Sequence, residues 1–79
     1  MSDDELLAHI EVDARKMAGK PVIRGTRLTV EHILNRLAHG QTTNDVVQEY
    51  PGLTEGAVRA CVLYAQRTLA DTTYAPLTR

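Results

Sequence analysis

The sequence predicts a mainly α fold in which a short β-strand or hairpin element precedes three helices, and three features predict it. His9-Ile10-Glu11-Val12 alternates polar and apolar residues, as a brief half-buried strand does. From Thr29 onward the apolar spacing changes to three and four residues. The later segments open on capping threonines and close on glycine or Pro-Gly.

At the N-terminus Ser2-Asp3-Asp4-Glu5 has capping-box spacing ahead of Leu6 and Leu7, which fits either a short helical turn or a frayed end. The natural partner of the His9 to Val12 strand is Pro21-Val22-Ile23-Arg24. Pro21 fixes φ and cannot donate a ladder hydrogen bond, so it suits the start of a strand, while Val22 and Ile23 are β-branched strand formers. Gly25 interrupts the strand as a bulge or tight turn. Thr26 and Thr29 carry hydroxyls suited to closing local turns or capping the helix that follows.

The first helix places Val30, Ile33, Leu34, Leu37 and Ala38 on one face, with Gly40 beyond its end. Thr42 precedes Asp45 at N-cap spacing, and Val46, Val47 and Tyr50 form a short apolar face that Pro51-Gly52 stops. Thr54 caps a longer helix with a main stripe of Val58, Cys61, Val62, Ala65 and Leu69, and a second of Ala57, Ala60, Tyr64 and Thr68. These readings give one domain over residues 1–71, with the β element at about 9–28, helices at about 30–39, 43–50 and 54–70, and a tail at 72–79 in which Tyr74 and Leu77 are available to dock on a partner.

A chain of 79 residues buries only about 60% of its unfolded surface as a monomer. Together with the broad apolar circumference of the last helix, that predicts a homodimer. Val22, Ile23, Ala57, Ala60 and Tyr64 are the expected interface. Cys61, the single cysteine, excludes an internal disulfide and sits among Val58, Val62 and Ala65 as a small hydrophobe. No apolar run is long enough to span a bilayer and the start is acidic, so the expected setting is the cytoplasm, with no membrane partner.

The formal net charge is −1, which argues against generic nucleic-acid binding. Its distribution is uneven. Residues 1–13 carry five acids and no lysine or arginine, whereas residues 14–27 carry Arg15, Lys16, Lys20, Arg24 and Arg27 and no acid. The two blocks either pair with each other across a dimer or leave the basic one for phosphate. The bland alternative is that the basic residues guard an edge strand against aggregation.

The residues supply no catalytic constellation, so the chain is expected not to be an enzyme and to need no cofactor. His9, His32 and His39 lack metal-ligand spacing. Asp45 and Glu49 stand four apart and read as a solvated helix face. Lys20 beside Gly19 lacks the remainder of a phosphate loop.

Residues 42–65 have helix-turn-helix dimensions, which would place Thr54, Glu55, Gly56 and Arg59 toward bases if the last helix entered a major groove. Only Arg59 suits guanine there, and phosphate repels Glu55. Thr54 and Arg59 are therefore the candidate recognition-helix residues. The strand residues Lys20, Arg24, Thr26 and Arg27 are the stronger candidates for contact with DNA or with an acidic partner.

The string Gly19-Lys20-Pro21-Val22-Ile23-Arg24-Gly25-Thr26-Arg27-Leu28-Thr29-Val30, with Ile33-Leu34, Leu37, Gly40 and Tyr50-Pro51-Gly52-Leu53-Thr54, closely resembles the domain of unknown function 433 family over about residues 9–69. The resemblance implies a homeodomain-like three-helix fold after a β element, usually dimeric. It also implies an antitoxin paired with a small PIN-like nuclease toxin encoded alongside. Two departures stand out. Ala18-Gly19 replaces the double glycine of many relatives, stiffening the turn before Lys20, and Gly56 replaces a frequent acidic residue at a helix-propensity cost of about 1 kcal/mol.

The leading expectation is an antitoxin that occludes a nuclease site through Arg24 or Arg27 and represses its own operator DNA through the basic strand. The alternatives are a stand-alone DNA-binding regulator and a structural dimerisation module in which those arginines pair with Asp3, Asp4, Glu5 or Glu11 of the other subunit.

Overall fold

The computed structural model describes residues 1–71, and the expected tail at 72–79, with Tyr74 and Leu77, lies outside the described residues. Ser2 opens helix α1 (Asp3–Leu7) with a complete capping box: its hydroxyl accepts from the Glu5 N–H while the Glu5 carboxylate accepts from the Ser2 N–H. Strand β1 (Ile10–Glu11) pairs antiparallel with β2 (Val22–Ile23), Ile10 opposite Ile23 and Glu11 opposite Val22. Three helices follow: α2 (Val30–Ala38), α3 (Thr43–Glu49) and α4 (Glu55–Ala70). The architecture is mainly α with one N-terminal hairpin, as the sequence predicts.

The capping threonines do what their spacing foretells. Thr29, Thr42 and Thr54 each accept from the backbone N–H three residues on, so α2, α3 and α4 all begin on a satisfied donor. α2 ends in a Schellman motif, with Gln41 N–H on the Arg36 carbonyl and Gly40 N–H on the Leu37 carbonyl. A Pro51-Gly52 turn, closed by Leu53 N–H to the Tyr50 carbonyl at 3.0 Å, separates α3 from α4.

α4 is the central helix, with α1, α2, α3 and β1 all packed on it. This arrangement corrects the expected stripe. Ala57, Val58, Ala60 and Cys61 are buried, whereas Val62 is 48% exposed and Leu69 68% exposed. With α1, α2 and α3 all packed on α4, the small alanines Ala57 and Ala60 face the core, and Val62 and Leu69 are left toward solvent. Of the expected interface residues, Val22, Ile23, Ala57 and Ala60 are buried within the single chain, and Tyr64 is partly exposed.

The segment between the strands contains an unusual turn. Met17, Ala18 and Gly19 are all left-handed, with φ of +50°, +57° and +78°. For the two non-glycine residues that conformation crowds Cβ against the following carbonyl. The turn is closed by Gly19 N–H to the Lys16 carbonyl and Lys20 N–H to the Met17 carbonyl.

Candidate functional site

The four strand candidates occupy the β2 turn and its approach. Gly25, at φ +80°, supplies the position that a β-branched or bulky residue resists, and Thr26 N–H closes the turn on the Ile23 carbonyl at 3.0 Å. The Thr26 hydroxyl is spent within it, donating to the Ile23 carbonyl at 2.7 Å and accepting from Leu28 N–H at 3.0 Å. Thr26 is thus a turn-closing residue.

The basic residues are engaged to very different degrees. Lys20 Nζ donates to Glu31 at 3.1 Å, tying the strand entry to the first turn of α2. Arg24 donates from Nε to the Ala8 carbonyl at 3.0 Å and from Nη2 to the Ile10 carbonyl at 3.3 Å, and its Nη1 lies 3.9 Å from Glu11. Arg15 makes a forked pair with Asp13, and Lys16 holds Glu11 at 2.9 Å. These contacts hold both carboxyls below their ordinary range: for Asp13 the Arg15 side-chain and backbone hydrogen bonds are the main cause, for Glu11 the hydrogen bond from Lys16. Arg27 differs from all of them. It is exposed, and no described residue accepts from it or pairs with it.

Two depressions result. Arg24 and Thr26 meet Thr54, from the start of α4, in a cleft of about 240 Å³ that His9 and Gly52 also line. One cleft therefore brings two of the strand candidates to one of the two helix candidates, and neither Lys20 nor Arg59 lines it. Arg27 lies elsewhere, in a depression of about 350 Å³ with Asp13, Arg15, Lys16 and Met17. The basic block of residues 14–27 marks Arg15 and Lys16 in the sequence. Nothing in the sequence marks Met17, whose position follows from the left-handed turn.

At the start of α4 the Thr54 hydroxyl is committed to its cap, and Arg59 reaches back to Glu55 at 3.5 Å. That end of the helix presents a mutually neutralised pair. Gly56 sits against Met1 and His9, where an added Cβ would touch both at 3.5–3.6 Å. The other chemical candidates are engaged within the fold: Asp45 accepts from Thr42 N–H, Glu49 takes the Arg36 guanidinium and Gln41, and His32 meets the Tyr50 hydroxyl at 2.6 Å. Among the described residues no group of three or more His, Cys, Asp or Glu side chains is placed to hold a metal ion, and no helix is long and apolar enough to cross a membrane.

A family described as protein of unknown function (DUF433) matches residues 10–65. The chain belongs to the DUF433 family. The match opens at the first residue of β1 and closes within α4, so it takes in the hairpin, the left-handed turn and Arg27 but not α1. No curated protein and no solved structure matches the chain.

Proposed function

We propose that this DUF433 chain is a non-catalytic antitoxin, a homodimer that binds and neutralises a PIN-like nuclease toxin and represses its own operator. The observation that carries the reading is the state of Arg27. It stands exposed and unpartnered among the described residues, while Arg15, Lys16, Lys20 and Arg24 are each held by an acceptor of their own chain. An unpaired guanidinium offers a planar fork of donors at no cost in broken internal contacts, and carboxylates are its natural acceptors. The acidic metal-binding cluster of a nuclease is such an acceptor. Arg27 neutralises it by occupying the position of the metal or the substrate phosphate.

The test is capture of tagged protein from its native cells, with each stoichiometric partner identified by intact mass and peptide sequencing. A small nuclease in fixed ratio supports the antitoxin reading. A bare dimer, or one carrying only DNA, overturns it in favour of a regulator, and a steep fall in DNA affinity with salt then identifies phosphate contact.

A further inference from the structure

We infer that the Asp13 to Lys20 loop and Arg27 together form a two-point docking surface for an acidic protein segment that carries an apolar side chain beside its carboxylates, with Met17 as the apolar contact and Arg27 as the charged one. This deepens the docking reading of Arg27 above, and does not depend on the partner being a nuclease.

Met17 is 39% exposed and lines the same depression as Arg27. Its backbone and that of Ala18 are left-handed, a conformation that persists in non-glycine residues only where the surroundings enforce it. Here the two turn hydrogen bonds close it, and the Lys16–Glu11 and Arg15–Asp13 pairs tie down the residues that lead into it. The backbone that carries Met17 is therefore held in place, with Met17 and Arg27 lining one depression. Such strain clusters where a surface is pre-organised for binding.

The charge balance selects the class of partner. Arg15 and Lys16 are offset by Asp13 and Glu11, which leaves Arg27 as the one uncompensated charge of the depression among the described residues. A nucleic acid presents rows of phosphates and rewards rows of free cations. One free guanidinium beside an exposed thioether matches a protein surface instead, where methionine adapts to an irregular apolar partner.

The experiment is a nuclear magnetic resonance titration of the labelled full chain with a short capped peptide of alternating glutamate and leucine, and separately with a short mixed-sequence DNA duplex. The peptide is expected to shift the Met17 methyl and Arg27 Nε–H signals together. Met17→Ala should weaken binding about tenfold, as the loss of much of a buried methionine does, and Arg27→Ala should remove it. The proposal is overturned by a peptide that shifts neither signal, by unchanged affinity in Met17→Ala, or by a duplex that shifts both signals at lower concentration than the peptide. The titration and the cell capture fail independently. A nuclease captured without a peptide response overturns the two-point surface and leaves the toxin reading standing, and a peptide response without a captured nuclease removes the toxin reading alone.

Discussion

The Arg24 guanidinium donates to the Ala8 carbonyl at 3.0 Å, joining the C-terminal end of α1 to the turn that follows β2. A positive group at a helix C-terminus also opposes the negative end of the peptide dipoles. Arg24 therefore acts first on the fold. Arg24→Ala is expected to destabilise the protein by about 1 kcal/mol, the worth of a charge-assisted hydrogen bond discounted for a side chain that remains largely exposed. Thermal unfolding checks this, and an unchanged Tm would show that α1 is held by its apolar contacts and the Arg67–Asp3 pair without help from Arg24.

That bond also shows where the sequence ceases to be legible. Caps leave a side-chain signature at fixed spacing, so α2, α3 and α4 are readable from Thr29, Thr42 and Thr54, and so is the capping box at Ser2. Backbone carbonyl acceptors leave none. Arg24 looks the same in sequence as Arg27, although one is bound to its own chain and the other is free among the described residues. The buried face of α4 was half legible: Val58 and Cys61 are core residues, but periodicity alone does not decide which neighbouring stripe joins them. The packing of α1 on α4 decides it, and α1 is too short for its docking to be read from period.

The left-handed turn gives a second prediction. Ala18 adopts φ +57° and ψ +31°, a conformation that costs an L-residue about 1–2 kcal/mol and glycine nothing. Against the extra freedom glycine gives the unfolded chain, Ala18→Gly is expected to stabilise by roughly 0.5–1 kcal/mol. Denaturant unfolding reads the shift in midpoint. A lower midpoint would mean that the alanine methyl makes a contact worth more than the strain.

Cys61 is fully buried, and burial pushes its thiol up to about 11 from a reference of 9.0. Since the thiol keeps its proton in the folded chain over a range where the unfolded chain loses it, the stabilising difference is present below pH 9 and is lost as pH rises through 9 to 11. Stability should fall in that window, less so in Cys61→Ala than in the wild type. At neutral pH a thiol reagent should label Cys61 only as fast as the protein opens, and immediate labelling of the native state would contradict its burial.

Glu49 carries the opposite sign. The Arg36 guanidinium holds its carboxyl below the usual 4.5, with further hydrogen bonds from Gln41 and Tyr50. The pair joins α2 to α3. Its contribution is present above pH 4.5 and is lost as pH falls through the lowered value. The acid limb of a Tm-against-pH curve should be shallower in Glu49→Gln than in the wild type, and superimposable limbs would remove this pair from the acid response.

The central claim is that Arg27 touches the partner while its basic neighbours serve the fold. The most direct measurement compares tagged wild type and Arg27→Ala in capture from native cells, with Tm recorded for both. We predict an unchanged Tm, because Arg27 makes no hydrogen bond or ion pair among the described residues, and a loss of the nuclease by about thirtyfold, the usual effect of truncating an anchoring arginine. Recovery of the nuclease in equal ratio with both proteins would contradict the account.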